Sequence, residues 1–285
     1  MSELTRREFG ALAIGAVIPQ VTRGVHLGVQ TYSFRDIARP PGAPDSVDVV
    51  IEAMHECGLD ECELYSNHVE PRVSREELRA WRTETSVEHF RSVKRKFDAA
   101  GIAIYAYCYN MNPTFTDAEI DRGFEIAKAL GARVMDTSTT LEVARRVAPI
   151  AVKHRMHVGL HGHSNTSDPN EFSSPQSFAA AMTISPYFKV NLDIGHFTAA
   201  GFDAVSFIRE HHADITNLHV KDMKRNQPDS YVPWGQGDTP IRNVLQLLKK
   251  ERWPIPAYIE YEYRGEGTPA EEVTKCLAYA KRALA

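Results

Sequence analysis

Residues 189–222 read KVNLDIGHFTAAGFDAVSFIREHHADITNLHVKD and carry the most informative pattern of this chain. Two short apolar runs, Lys189 to Asp193 and Ile215 to Val220, flank a longer stretch with helical character. A strand, a helix and a second strand in this order predict two parallel strands joined by a crossover helix. The first run ends in Asp193, with His196 shortly after it, and the second contains His219, with Asp222 shortly after it. The same stretch therefore also contains candidate functional residues.

The same unit recurs along the chain from Val25 onward. Short apolar, β-branched runs alternate with polar loops and amphipathic segments, which predicts eight strands. The predicted strands are Val25 to Tyr32, Glu61 to Tyr65, Ile102 to Tyr107, Arg133 to Asp136, His157 to His161, Lys189 to Asp193, Ile215 to Val220 and Ala257 to Tyr261.

Helix start signals separate these strands. Ser/Thr-x-x-Glu capping boxes are predicted at Thr85 with Glu88 and at Thr116 with Glu119. A threonine before a proline predicts two further starts, at Thr239 and at Thr268. The long segment from Ser66 to Thr85 is predicted to be an insertion that forms a lid or an interface.

Eight strands alternating with helices predict a parallel α/β architecture. A closed (β/α)8 TIM barrel in a single domain, residues 25–285, is the simplest arrangement, and an open doubly wound sheet is the alternative. The open sheet usually has a glycine-rich turn after its first strand. Residues 31–35 here read TYSFR and contain no glycine, which favours the barrel.

The first 24 residues are predicted to be an export signal of the twin-arginine type. Arg6, Arg7 and Phe9 precede a short apolar run, which is typical of a signal rather than a membrane span. An amphipathic first helix is the alternative, although Gly10, Gly15 and Pro19 make a poor helix. The expected location is therefore the periplasm, with or without cleavage.

Composition excludes several classes of protein. The 285 residues are 43% hydrophobic and 25% charged with a net charge of −4, which is typical of a globular domain. The acidic balance gives no support for nucleic-acid binding, and no apolar run is long enough to span a membrane. The four cysteines form no Cys-x-x-Cys pair, so buried free thiols are expected.

Metal-binding residue types collect at the predicted strand ends. The active site of a barrel lies at the carboxyl ends of its strands. Strands five, six and seven end in histidine or aspartate, and strand eight contributes Glu260 and Glu262, which share one face by alternation. Carboxylates with imidazoles and few thiols predict a divalent ion such as Mn²⁺, Mg²⁺, Co²⁺ or Zn²⁺.

These motifs resemble those of the xylose isomerase-like barrels, a group of sugar phosphate isomerases and epimerases. The matching segments, in chain order, read ELY at residues 63–65, LDIGH at 192–196, LHVKD at 218–222, PWGQGD at 233–238 and YIEYE at 258–262. The resemblance implies a metal-dependent barrel enzyme, with Mn²⁺ as the expected ion, and leaves a homo-oligomer open.

The resemblance also assigns roles to individual residues. It implies four metal ligands, His161, Asp193, His219 and Glu260. Glu260, His163, His196 and Lys221 are expected to be catalytic. The residues expected to contact a sugar or keto-sugar substrate are Tyr32, Glu63, Tyr107, Asp222, Trp234, Gln236 and Glu262. One residue departs from the family pattern, because strand five usually supplies a glutamate where this chain has His161.

The implied reaction is proton abstraction next to a carbonyl through a metal-stabilised enediolate. Return of the proton gives an epimer or an isomer, whereas loss of a leaving group makes the protein a keto-sugar dehydratase or lyase. A non-catalytic carbohydrate-binding barrel is the further alternative, which the His161 departure leaves open. Few basic residues lie near the strand ends, so an unphosphorylated sugar is expected.

Overall fold

The computed structural model describes residues 17–285, and its centre is a closed barrel of eight parallel strands. The strands, in chain order, are β1 Val25–Gln30, β2 Glu61–Tyr65, β3 Ala103–Cys108, β4 Val134–Thr137, β5 His157–His161, β6 Phe188–Asp193, β7 Ile215–Val220 and β8 Ala257–Ile259. Each strand pairs with its neighbour in sequence, and β1 pairs with both β2 and β8. The predicted single-domain (β/α)8 barrel is confirmed, because an open sheet would leave two strand edges unpaired.

Helices surround the barrel in the described part of the chain. They are α1 Val47–Cys57, α2 Arg75–Glu84, α3 Val87–Ala99, α4 Asp117–Ala129, α5 Leu141–His154, α6 Pro175–Met182, α7 Ile194–Ala199, α8 Ala204–His211, α9 Ile241–Glu251 and α10 Pro269–Ala283. None of these described helices has both the length and the hydropathy needed to cross a membrane.

All eight predicted strands are present, and the differences lie at their ends. The first ends at Gln30 rather than Tyr32, because Thr31–Phe34 forms a 3₁₀ turn. The Gln30 side chain accepts a hydrogen bond from the backbone N–H of Tyr32 at 3.0 Å and stabilises that turn. The chain therefore bends away from the barrel axis two residues earlier than its apolar pattern predicts.

Two of the four predicted helix starts are correct. Thr116 and Thr268 each cap their helix in a complete capping box. The prediction at Thr85 is wrong, since α3 begins after Ser86 and Thr85 ends α2. The prediction at Thr239 is also wrong, because its hydroxyl instead accepts a hydrogen bond from the backbone of Met223 at 3.0 Å.

The main hydrophobic core lies between the barrel and the helices. In α1, Val47, Val50 and Met54 are fully buried and lie on one face of the helix. Each such side chain contributes about 1.5–3 kcal/mol through burial. All four cysteines are buried and free, as expected.

The barrel interior is polar in its upper half. Glu63, Asp136, Asn191 and Asn217 are all fully buried inside it. Buried polar groups are costly unless they find partners, so their presence suggests a functional interior. Below this layer Gly28 allows close packing, because a Cβ there would lie 2.4 Å from the carbonyl oxygen of Glu61.

The predicted export motif, which includes Arg6 and Arg7, lies outside the described residues. Just after it, Val21–Thr22 pairs antiparallel with Val25 and His26 at the start of β1. The chain therefore contacts the barrel a few residues before Val25.

Candidate metal centre and active site

Four side chains from consecutive strands converge at the carboxyl end of the barrel. His161 ends β5, Asp193 ends β6, His219 lies in β7 and Glu260 directly follows β8. One ligand atom from each lies within 4.8 Å of the others, and all four residues are buried. The structure thus brings together the four residues that the resemblance to the family implied as metal ligands.

The donor atoms of this group fit a divalent ion. His161 Nε2, Asp193 Oδ2, His219 Nδ1 and Glu260 Oε2 are buried, and none makes a well-directed hydrogen bond. Buried polar atoms rarely lack partners, and four that converge on one point indicate a cation site. Two imidazole nitrogens and two carboxylate oxygens suit a hard or borderline ion.

A helix cap orients the aspartate of this group. Asp193 ends β6 and is the N-cap of α7, so the chain turns directly from strand into helix. Its Oδ1 accepts a hydrogen bond from the backbone N–H of His196 at 2.8 Å. Asp193 Oδ2 is therefore left for the ligand group, and the first turn of α7 places His196 beside it.

Lys221 lies against the same carboxylates. Its Nζ is 2.9 Å from Asp193 Oδ2 and 2.8 Å from Glu260 Oε2, and it also pairs with Glu262. Burial alone would lower the pKa of Lys221, but the three carboxylates outweigh it and raise that pKa well above the usual range. Lys221 is therefore cationic at neutral pH.

The three carboxylates differ in how readily they accept a proton. Burial opposes ionisation of Asp193 and Glu260, yet the positive charge of Lys221 holds the pKa of both below the usual range. Burial raises the pKa of Glu262, and the charge of Glu260 adds to this effect. Glu262 is therefore the most easily protonated of the three.

Two neutral imidazoles stand next to the ligand group. The ring of His163 lies 4.8 Å from that of His161 and 5.2 Å from that of His196. Burial lowers the pKa of His163 to about 3, and the charges of His161 and Lys221 add to the shift. Burial and Lys221 likewise hold the pKa of His196 well below its usual value.

A cavity of about 300 Å³ opens above these groups. Of the predicted substrate residues, Tyr32, Glu63 and Glu262 line it. It is also lined by residues that the sequence analysis did not select, among them Tyr65, Asn110, Ser138 and Tyr231. The first three end or follow strands, so the strand-end rule could have found them, whereas only tertiary structure brings Tyr231 here.

Glu63 forms the floor of this cavity and is fully buried. Its Oε2 lies 2.7 Å from His219 Nε2 and accepts a hydrogen bond from Asn217 Nδ2 at 2.8 Å. The carboxylate is therefore occupied by protein groups below the ligand cluster. Glu63 therefore lies at the cavity floor, as a predicted substrate residue should, but with its carboxylate bound by protein groups.

Tyr107, which is expected to contact the substrate, does not line the cavity. It is fully buried and stacks on Tyr109 with ring centroids 5.7 Å apart. The next residue, Cys108, lines the cavity, and alternation along β3 turns Tyr107 toward the helix layer.

Three further predicted substrate residues also lie elsewhere. The Asp222 carboxylate accepts backbone hydrogen bonds from Gly235 at 2.7 Å and from Gly237 at 2.9 Å, so it holds this loop in place. Trp234 and Gln236 line a separate hollow of about 430 Å³ beside α10. Asp222, Trp234 and Gln236 are therefore not among the residues that line the cavity above the ligand group.

A hollow of about 400 Å³ lies at the opposite, amino end of the strands. Its lining includes His26, Glu61 and Tyr105 and is largely apolar. Within residues 17–285 the group at the carboxyl end is the one set of side chains placed to hold a metal.

Comparisons with known proteins agree with this geometry. The sequence profile of the xylose isomerase-like TIM barrel family matches residues 51–282. Among curated protein sequences, none matches this chain.

Solved structures share the fold at low identity. A 3-keto-D-glucoside 4-epimerase from E. coli is 13% identical, with a TM-score of 0.66, over 90% of this chain and 99% of that one. The probable 3-DHS dehydratase AsbF from Bacillus anthracis is 14% identical, with a TM-score of 0.65, over 89% and 98%. The IolI protein, solved with a zinc atom, is 15% identical, with a TM-score of 0.66, over 91% and 98%.

These structural likenesses show the fold, whereas the sequence profile covers well over half of the chain. Together with the closed barrel and its strand order, it establishes that the chain belongs to the xylose isomerase-like TIM barrel family.

Proposed function

We propose that this protein is a divalent-metal-dependent sugar isomerase or epimerase that moves a proton at a carbon next to a carbonyl. The observation that carries the proposal is the convergence of His161, Asp193, His219 and Glu260 through four buried ligand atoms beneath a polar cavity. A bound divalent ion supplies Lewis-acid stabilisation of the negative charge that develops on substrate oxygens.

The side chains of the cavity differ in the roles they can take in proton transfer and substrate binding. Glu260 is ionised and held by Lys221 and His219, so it is a poor proton acceptor. Glu262 faces the same cavity and has a raised pKa, which brings it closer to the working range of a general base. We therefore assign proton abstraction to Glu262, in place of Glu260, and a hydrogen-bonding role toward the substrate to the neutral His163 and His196.

The substrate in this proposal is an uncharged sugar or keto sugar. Among the described residues lining the cavity, Lys221 is the one lysine or arginine, and three carboxylates already surround it. A phosphate group would therefore find no free cationic partner there. Turnover of phosphorylated sugars alone, tested beside their free forms, would contradict this assignment.

The test is exchange of solvent deuterium into the carbons next to the carbonyl in a panel of keto sugars, with and without Mn²⁺. We expect metal-dependent exchange, and a loss of about 10²- to 10⁴-fold in Glu262→Gln with metal binding retained. Glu266→Gln, an exposed residue of the same loop, is the matched control. Undiminished exchange in Glu262→Gln would reject the assigned base, and no exchange for any sugar would reject the function.

A keto-sugar dehydratase or lyase is the second candidate, and His161 favours it. The family usually has a glutamate at this strand-five position, and two facing carboxylates suit reversible proton transfer. Here the site combines the carboxylate of Glu262 with the imidazoles of His161 and His163. The group that accepts the proton and the group that assists a leaving hydroxyl are therefore of different chemical types. Mass spectrometry of products from the same sugar panel distinguishes loss of water from isomerisation.

Export is part of the proposal and is supported by sequence alone. Arg6, Arg7 and Phe9 lie outside the described residues. We expect the protein in the periplasmic fraction, and we expect Arg6→Lys combined with Arg7→Lys to keep it in the cytoplasm. An unchanged distribution would reject the twin-arginine assignment.

A further inference from the structure

The carboxylate of Glu63 is held beneath the ligand group by several donors. Gln30 Nε2 donates to Oε1 at 2.5 Å, and Asn217 Nδ2 donates to Oε2 at 2.8 Å. A third amide, Asn191 Nδ2, lies 3.3 Å from Oε2. Because these donors come from three different strands, the orientation of Glu63 is fixed independently of His219.

This fixed carboxylate faces one of the two nitrogens of His219. Glu63 Oε2 is 2.7 Å from His219 Nε2, and both residues are buried. A neutral imidazole has one protonated and one unprotonated nitrogen. Asn191 Nδ2 lies 3.1 Å from the same Nε2 and 3.3 Å from Glu63 Oε2, so this amide can donate to either. The charged carboxylate at 2.7 Å is the stronger partner and favours the proton on Nε2, which leaves the lone pair at Nδ1.

The other nitrogen faces the ligand group. His219 Nδ1 lies 3.0 Å from Glu260 Oε2, and both atoms are among the four that converge without a well-directed hydrogen bond. The ring is therefore held between an acceptor on one side and the candidate cation site on the other.

We infer that Glu63 is a positioning residue that commits His219 to present Nδ1 to the divalent ion. The inference rests on the metal binding of the proposed function. Glu63 suits this role because its carboxylate is fully buried and is bound by protein donors. Partners that orient a histidine ligand typically change metal affinity by about 10- to 100-fold.

The chain offers a matched control on the same strand. Glu61 also lies in β2 and is buried, and its carboxylate accepts a hydrogen bond from Tyr258 Oη at 2.7 Å. Glu61 Oε2 also lies 3.4 Å from His26 Nδ1, and no described contact joins Glu61 to His219. Glu61→Gln therefore removes a buried charge from the barrel without touching a metal ligand.

The experiment measures Co²⁺ affinity by competition with a chelator, together with the visible spectrum of the bound Co²⁺. We expect Glu63→Gln to weaken Co²⁺ binding by about 10- to 100-fold and to alter the spectrum. Glu61→Gln is expected to leave both unchanged, and Glu63→Asp to recover part of the affinity.

A second measurement avoids any variant that fails to fold. In the Zn²⁺-loaded wild-type protein with ¹⁵N-labelled histidine, we expect His219 to show a protonated Nε2 and a metal-bound Nδ1. If folded Glu63→Gln bound Co²⁺ with wild-type affinity, the inference alone would be overturned. The same holds if the NMR spectrum showed that the metal binds Nε2 of His219. Metal binding without deuterium exchange would overturn the proposed function alone, and a wild-type chain that binds no metal would overturn both.

Discussion

At the scale of single residues, we expect His161 to influence which divalent ion the candidate centre prefers. Ser138 Oγ lies 3.2 Å from His161 Nδ1, which leaves Nε2 toward the ligand group at 3.4 Å from Asp193 Oδ2. A glutamate there would add a third carboxylate to those of Asp193 and Glu260. The imidazole instead makes the donor set half nitrogen, which shifts preference from Mg²⁺ toward Zn²⁺ and Co²⁺.

Replacing His161 by glutamate is expected to reverse that preference. Because a carboxylate is the harder ligand, the ratio of Mn²⁺ to Zn²⁺ affinity should rise by about tenfold, or ~1.4 kcal/mol. Competition titrations with the two ions measure the ratio. His157→Glu, at the exposed start of the same strand, is the control. A fall in the ratio would contradict imidazole ligation at this position.

His68 is expected to make folding stability depend on pH. Burial lowers its pKa to about 4, and the Nε2 atom lies 2.8 Å from the carbonyl oxygen of Thr31. The pKa of His68 in the folded protein lies below its value of about 6.5 in the unfolded chain. The contribution of neutral His68 to the free energy of unfolding is therefore complete above pH 6.5 and is lost as the pH falls toward 4. The loss between pH 7.5 and pH 5 is about 2 kcal/mol.

Urea unfolding of the wild-type protein and of His68→Gln at these two pH values measures that loss. The wild-type protein should lose about 2 kcal/mol more than the variant between pH 7.5 and pH 5. Equal losses in both proteins would show that His68 titrates normally in the folded state.

At the scale of elements, a buried ion cluster joins the insertion between β2 and β3 to helix α4. Arg82 of α2 contacts Glu70 through two hydrogen bonds of 2.8 and 2.9 Å, and its Nη1 lies 3.3 Å from Glu119 Oε1 in α4. All three side chains are buried. Helix α2 therefore packs against α4, on the outer layer of the molecule.

Replacing Arg82 by methionine is expected to destabilise the protein strongly. The change leaves Glu70 and Glu119 buried without their shared cation, which costs about 3–5 kcal/mol. Arg95→Met removes an exposed pair with Glu88, which water and salt screen, and should change the stability little. Chemical denaturation compares the two variants. Similar small losses would mean that solvent reaches the Arg82 cluster.

At the scale of the whole molecule, the candidate centre joins four consecutive strands of the barrel. His161, Asp193, His219 and Glu260 come from β5 to β8, and Glu63 reaches them from β2 on the other side. Because the site exists only when the barrel is closed, an ion bound there stabilises the folded chain.

Metal loading is therefore expected to raise the free energy of unfolding. At about a thousandfold excess over the dissociation constant, the gain is about 4 kcal/mol, and a chelator should remove it. His161→Ala should show a smaller gain at the same Mn²⁺ or Zn²⁺ concentration. Thermal and urea unfolding with and without the ion measure both. If neither the ion nor the chelator changed the stability of the wild-type protein, the proposed metal site would be contradicted.

The sequence by itself predicted the eight strands and the barrel, because strand periodicity is local and parallel strands bring their carboxyl ends to one rim. The set His161, Asp193, His219 and Glu260 came from the resemblance of the sequence motifs to a known family. The sequence also selected Tyr107 at the predicted end of strand three, whereas the next residue, Cys108, lines the cavity. An error of one residue reverses the facing of a side chain.

Only the tertiary structure decided how the remaining polar groups are used. Glu63 meets His219 across 156 residues of sequence, and Asp222 holds a loop 13 to 17 residues away. The hydroxyl of Thr239 likewise joins Met223 instead of capping α9. A polar side chain takes the partner that burial brings within hydrogen-bond distance, and that partner depends on distant chain segments rather than on local pattern.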